Sequence, residues 1–237
     1  MEIKVRNDDF FDNSKTIEIY NSYEPYYLYE MKRFYENNNI ECIVALDTDL
    51  DVYLKHFYDS LCIIKIINLE NQYLLDIGTG AGFPGLVLKL ARPDIQMTFL
   101  DSTKKKLGFI ENVLNECGVQ GEILHMRAEE AAQLSKYREK FDFATARAVA
   151  ALPVLSEYCL PFVKVGGSFV SMKSADSNEE LNEAKKAISI LGGKIEEDIL
   201  FDLVDDMPRR IVRLKKNSQT PTKYPRPSAQ ISKKPLK

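Results

Sequence analysis

Asp76-Ile77-Gly78-Thr79-Gly80-Ala81-Gly82-Phe83-Pro84-Gly85 follows the apolar pair Leu74-Leu75 and precedes an apolar run that begins at Leu86. This order reads as a buried strand, a glycine-rich turn and the start of a helix. Glycine tolerates positive φ and lets backbone pass close to a ligand. Pro84 suits a first helical position, where its missing N–H costs nothing. Two ligand chemistries compete for such a turn. The window Gly80-x-Gly82-x-x-Gly85 matches the dinucleotide fingerprint, which sets a pyrophosphate at a helix N-terminus. Against it, Gly78 stands where a strand hydrophobe belongs, and Asp76 would repel a pyrophosphate. A ligand with cationic groups and no phosphate would instead tolerate that carboxylate. A tight strand-to-helix turn with no ligand is a third reading.

An acid followed by Gly-x-Gly resembles motif I of S-adenosylmethionine-dependent methyltransferases, whose cofactor carries a sulfonium and an amino group. The next strand, Ile95 to Leu100, ends in Asp101. An acid there can accept both ribose hydroxyls of a nucleoside cofactor. It serves NAD equally, and it can also cap the helical run that follows. Arg127-Ala128-Glu129-Glu130 follows the third strand, near the purine end of such a cofactor. A backbone N–H and a carboxylate there can bond adenine, although Glu129 and Glu130 also suit a helix's first turn.

Arg147 closes the fourth strand, in Ala144-Thr145-Ala146-Arg147-Ala148-Val149. This place commonly faces the methyl acceptor. It lacks the Asn/Asp-Pro-Pro-Tyr/Phe signature of amino-group methylation and the Pro-Cys nucleophile of cytosine-C5 methylation. His56 and His125 read as isolated core or surface histidines, so no general base is evident. A ring nitrogen with a free lone pair, such as guanine N7, needs none; positioning then carries the catalysis. Arg147 could bond guanine O6, a phosphate or the cofactor, or stand in a structural salt bridge.

These residues need a scaffold. From about Tyr73, strands at 73–77, 95–100, 121–126, 141–146, 167–172, 195–201 and 208–215 alternate with helices at 84–91, 103–117, 128–135, 150–163 and 178–191. Alternation of this kind predicts an α/β fold with a mainly parallel seven-stranded sheet covered on both faces. The last two strands would form a hairpin at the sheet edge. Residues 1–70 read as an N-terminal helical extension, with helical stretches at Ile17 to Tyr35 and Asp49 to Ile67. Residues 71–216 make the cofactor-binding domain. Residues 217–237, with four prolines, read as a basic tail and not a folded element.

The 237-residue chain has a formal charge of −3. Ten Lys and Arg and no acid fall between Arg209 and Lys237, so the rest of the chain is strongly acidic. An acidic body with a basic end suggests a polyanion met through one face. Cys42, Cys62, Cys117 and Cys159 are widely spaced and form neither a metal pattern nor a secreted disulfide framework. No signal-peptide-like start or membrane-length apolar run is evident, so the cytoplasm is the expected compartment.

The chain resembles the RsmG (GidB) ribosomal RNA methyltransferases over about residues 50–237. The resemblance rests on His56-Phe57-Tyr58-Asp59-Ser60-Leu61, Asp76 to Gly85, Arg127-Ala128-Glu129-Glu130, Arg147-Ala148-Val149-Ala150, Tyr224-Pro225-Arg226 and Lys233-Lys234-Pro235-Leu236. It implies a class I, Rossmann-like methyltransferase fold and methyl transfer from S-adenosylmethionine to N7 of a guanine in 16S ribosomal RNA. It also implies that Gly78, Gly80 and Phe83 form the cofactor turn, Ala128 and Glu129 flank adenine, and Arg147 lies at the junction of cofactor and substrate. Arg209, Arg210, Lys223, Arg226, Lys233 and Lys234 would contact RNA phosphates, on the ribosomal RNA or the small subunit, from a monomeric protein. The family's Gly-x-Pro after the Tyr-Pro-Arg segment is replaced here by Ala229-Gln230-Ile231.

Overall fold

A computed structural model of the chain describes residues 4–5, 53–203 and 207–236. The helical stretch expected at Ile17 to Tyr35, the start of that at Asp49, and Cys42 lie outside the described residues. The described part of the N-terminal extension is helical. A π-helical turn, Tyr53–Tyr58, runs into α1 (Asp59–Leu61) and a 3₁₀ turn, Cys62–Lys65.

Strands and helices then alternate as β2 (Tyr73–Ile77), α2 (Gly85–Ala91), β3 (Gln96–Asp101), α3 (Lys104–Glu116), β4 (Glu122–His125), α4 (Ala128–Ala131), β5 (Phe141–Arg147), α5 (Leu152–Cys159), β6 (Val163–Ser174), α6 (Asn178–Ile190), β7 (Gly193–Asp202) and β8 (Pro208–Lys216). The sheet order is β1-β7-β8-β6-β5-β2-β3-β4, where β1 is the short strand Lys4–Val5. The seven strands expected from the alternation are present, and β1 adds an eighth. All pairings are parallel except those of β8, which is antiparallel to both β6 and β7. The expected hairpin of the last two strands therefore forms, with β8 inserted between β6 and β7.

Burial on both sheet faces explains the apolar strands. Successive side chains point to opposite faces. Leu74 packs with the α1, α2 and α3 side, including Phe57, Leu86 and Leu107. Leu75 packs with the α5 and α6 side, including Leu155 and Leu181. In α3, Leu107, Ile110, Val113 and Leu114 recur at helical spacing and are buried, forming the stripe that docks the helix on the sheet. Among the described residues, no helix is long and apolar enough to cross a membrane.

The expected unfolded tail is corrected. Residues 228–233 form α7 (Ser228–Lys233), with Ile231 fully buried and Tyr224 nearly so. The replacement of Gly-x-Pro by Ala229-Gln230-Ile231 supplies a helix-compatible turn and an apolar anchor.

Candidate active site

Two parallel strands, β2 and β3, end side by side, with Ile77 opposite Leu100. The chain leaves β2 through three left-handed glycines, Gly78 (φ +66°), Gly80 (φ +58°) and Gly82 (φ +94°). A Cβ on Gly78 would lie 2.8 Å from Val149 Cγ2, so the turn needs glycine for space as well as for φ. Gly78 and Thr79 donate backbone N–H groups to the Leu100 carbonyl, at 2.8 and 3.1 Å.

Asp76 braces this turn from below. Its Oδ2 accepts from Thr79 Oγ1 at 2.6 Å and from the Gly85 N–H at 3.0 Å. The carboxyl is fully buried, and its Oδ1 has no hydrogen-bond partner among the described residues. Burial pushes its pKa up to about 6, against the Thr79 and Gly85 bonds that favour the ionised form. The acid therefore shapes the glycine turn directly; it does not line the cavity beside it.

That cavity, about 440 Å³, lies at the carboxyl ends of the strands. Gly78, Asp101, Ala128 and Glu129 all line it, as do Ile77, Leu100, Met126 and Val154. Asp101 accepts from the Gly80 N–H at 3.1 Å and from the Thr103 N–H at 2.8 Å. It thus ties the turn to the start of α3 while its side chain borders the cavity. The site offers the Asp101 carboxylate at the end of β3, apolar walls and the Glu129 carboxylate at the start of α4. This set fits the adenosine portion of S-adenosylmethionine.

A second cavity, about 590 Å³, adjoins the first. Ala148, Val149 and Ala150 line both. Ala148 has φ +55°, a left-handed conformation rare for a residue with a Cβ. The chain is thus bent sharply where it forms the wall common to both cavities. Arg147, Asp59, Lys173, Glu180 and Arg209 also line the second cavity.

Arg147 is held from three sides. Its Nη1 donates to the Lys55 carbonyl at 3.2 Å and to Asp59 Oδ2 at 3.3 Å. Its Nη2 lies 2.8 Å from His56 Nδ1. Its guanidinium sits 5.0 Å from the centre of the Phe83 ring, a cation–π distance. His56 and Phe57 pack on the same ring at 5.0 and 5.2 Å. Burial first, then the charges of Arg147, Lys55 and Arg209, lower the His56 pKa to about 4. The ring is therefore neutral at pH 7, accepts at Nδ1 and is a weak base. Asp59 also meets Arg209 Nε at 3.4 Å, so one buried carboxylate bridges two arginines.

A profile of the family described as GidB, rRNA small subunit methyltransferase G, matches residues 27–209. Ribosomal RNA small subunit methyltransferase G of Acetivibrio thermocellus is 48% identical over 196 residues, covering 82% of this chain and 81% of that one. Its counterpart from Leuconostoc mesenteroides is 45% identical over 215 residues, covering 87% and 90%. The chain belongs to the rRNA small subunit methyltransferase G family. In fold it is similar to TrmN from Thermus thermophilus (TM-score 0.53, 14% identity, 73% of this chain and 55% of that one). It is also similar to a methyltransferase from Pyrococcus furiosus (TM-score 0.52, 16% identity, 68% and 81%). The sheet with its antiparallel β8 is the class I methyltransferase arrangement.

Within this methyltransferase the sequence-derived residues divide into groups. Gly78, Asp101, Ala128 and Glu129 converge on the smaller cavity, and Gly80 supports it through Asp101. Phe83 is buried beneath Arg147 and belongs to the arginine cluster. Lys223, Lys233 and Lys234 are exposed, and Arg209 borders the larger cavity. Arg210 is corrected as an RNA contact. It is 2% exposed and forms a two-pronged pair with Asp198, 2.6 Å on each prong. Arg226 is corrected likewise. Its backbone N–H, Nε and Nη2 all bond the fully buried Glu157 carboxylate, at 2.9, 2.9 and 2.7 Å. Arg210 is thus consumed inside the fold, and Arg226, 20% exposed, closes over the buried Glu157 from the surface; either carboxylate would be costly to leave isolated.

His56 and Asp59 were missed as site residues. Their spacing of three places them on one helical face, which is the signal available in the sequence. Their partner is Arg147, far along the chain, and no local pattern reveals that contact.

Proposed function

We propose that this methyltransferase transfers a methyl group from S-adenosylmethionine to N7 of a guanine in 16S ribosomal RNA, acting as a monomer in the cytoplasm. The observation that carries the proposal is the pair of cavities with a common Ala148–Ala150 wall, one suited to adenosine and the other edged by Arg147. S-adenosylmethionine, when bound, supplies a methyl group on a positively charged sulfur. Gly78, Asp101, Ala128 and Glu129 would hold its nucleoside part, and Gly80 and Phe83 would shape the turn beneath it.

The carboxylates that line the cavity beside Arg147 are each paired with cations, Asp59 with Arg147 and Arg209 and Glu180 with Lys173, which supports an acceptor that needs no deprotonation. Guanine N7 carries an in-plane lone pair and no proton, so its methylation requires no deprotonation. His56, neutral and bonded to Arg147, positions the guanidinium instead of removing a proton. Arg147 faces the acceptor cavity, where it can donate to guanine O6, next to N7. A fixed guanidinium then holds the nucleophile in line, which is the part of the barrier that positioning can lower.

The relatives' names specify small-subunit ribosomal RNA, and exposed Lys223, Lys233 and Lys234 supply charge for a phosphate backbone. The test is nucleoside mass spectrometry of 16S RNA from cells lacking the gene. A missing 7-methylguanosine, restored by the wild-type gene and not by Arg147→Ala, supports the assignment. An unchanged 7-methylguanosine content overturns it.

A further inference from the structure

We infer that the C-terminal segment is part of the cofactor site, with Ser228 and Ser232 of α7 and Tyr158 of α5 forming the wall that encloses the adenosine end of S-adenosylmethionine. This rests on the reading of the smaller cavity as the cofactor site.

The segment is anchored along its length before it reaches that cavity. Lys216, 1% exposed, donates to Thr220 Oγ1 at 2.6 Å and to the Leu160 carbonyl at 2.7 Å. Arg138 donates to the carbonyls of Thr220 and Tyr224 at 2.7 and 2.8 Å. Gln133 Nε2 donates to the Pro225 carbonyl at 2.9 Å. Arg226 then closes on Glu157. These bonds, with the buried Lys216 and Glu157 among their partners, tie the segment to the body at successive points, so it is integral to the domain.

The Arg226–Glu157 pair sets where α7 starts. Glu157 and Tyr158 are adjacent on α5, and the Tyr158 hydroxyl lies 3.2 Å from Ser228 Oγ. Ile231, on the buried face of α7, fixes the helix's rotation. Ser228 and Ser232, four residues apart, then share one helical face. Both line the cavity, with Tyr158 and Val154. Met126, Arg127, Ala128 and Glu129 border the same cavity. Three hydroxyls, each able to donate or accept, thus join the group of residues suited to adenine, which presents both ring acceptors and an amine donor. Two of them, Ser228 and Ser232, come from chain beyond β8, outside the strand-end loops that such a fold usually uses.

The test is calorimetric titration of S-adenosylhomocysteine into the full-length protein and three variants. Ser232→Leu adds bulk to the wall, Arg226→Ala frees the segment from Glu157, and Gln230→Leu alters an exposed α7 position that does not line the cavity. The expected result is binding by wild type, about tenfold weaker binding by Ser232→Leu and Arg226→Ala, and unchanged binding by Gln230→Leu. Equal melting temperatures for Ser232→Leu and Gln230→Leu without ligand would show that the loss belongs to the wall. Wild-type affinity in Ser232→Leu, or equal loss in Gln230→Leu, would overturn the inference while leaving the cofactor reading standing. A wild-type protein that does not bind S-adenosylhomocysteine would overturn both.

Discussion

Arg147 Nη2 and His56 Nδ1 lie 2.8 Å apart, joining the end of β5 to the helical segment that precedes β2. A guanidinium cannot accept, so the imidazole accepts at Nδ1 and carries its proton on Nε2. With Asp59 and the Lys55 carbonyl also engaged, the guanidinium is fixed at the edge of the larger cavity. Replacing Arg147 by Ala is expected to lower turnover by about two orders of magnitude through impaired positioning. RNA retention on filters should fall far less. Arg147→Lys should recover little, because an ammonium cannot reproduce the planar, multi-donor contact. Equal losses of turnover and RNA retention would instead make Arg147 an RNA anchor.

His56 makes stability depend on pH in a defined window. Its pKa falls from 6.5 unfolded to about 4 folded, chiefly by burial. Between those values unfolding takes up a proton, so its contribution is complete above 6.5 and is lost as pH falls towards 4. Asp76 acts in the opposite sense, since its raised pKa of about 6 favours the fold below 3.8 and loses that advantage as pH rises through 6. The difference between wild type and His56→Asn isolates the histidine. Wild type should gain on the variant as pH rises from 4 to 6.5 in urea titrations. A ring NMR titration with its midpoint near 6.5 would contradict the account.

The glycine turn should resist even one added methyl. Gly78→Ala forces a Cβ into a left-handed backbone at about 1–2 kcal/mol. It also displaces Val149, in the wall common to both cavities. Melting temperature and affinity for S-adenosylhomocysteine should both drop. Asp76→Ala removes the buried acceptor for Thr79 and Gly85 and should cost about 1–3 kcal/mol for the orphaned donors. A variant with unaltered melting temperature would show that the carboxylate does not brace the turn.

Buried and exposed cations at the C-terminal end should behave differently. Arg210→Ala leaves the Asp198 carboxylate buried and unpaired, an expected loss of about 3–5 kcal/mol in denaturant titrations. Replacing Lys223, Lys233 and Lys234 by Ala should leave stability within about 0.5 kcal/mol, as for surface changes generally. RNA affinity should fall, and its dependence on log salt should become shallower by about one unit for each phosphate no longer neutralised. An unchanged salt slope would remove these lysines from the RNA-binding surface.

The order of strands and helices was legible because both sheet faces are buried, so β2 and β3 carry adjacent buried apolar pairs, Leu74-Leu75 and Phe99-Leu100. That Gly78, Asp101, Ala128 and Glu129 border one cavity was legible because each follows or ends a strand on the same edge of the sheet. The clusters assembled across the fold were not. His56 and Asp59 acquire a role only when Arg147 is brought beside them. Arg210 and Arg226 look like surface charge in a basic stretch, yet Asp198 and Glu157 claim them in the fold. The C-terminal residues read as tail because proline and lysine dominate them. Ile231 and Tyr224, with the carbonyls bonded by Arg138, supply the burial that composition did not reveal.

The most direct measurement is methyl transfer in vitro. Labelled S-adenosylmethionine and purified protein are incubated with 16S RNA and with 30S particles from cells lacking the gene, and the RNA is digested to nucleosides. The account predicts label in 7-methylguanosine from at least one of these substrates. Label in any other nucleoside, or no transfer to either substrate by a protein that binds the cofactor, would contradict it.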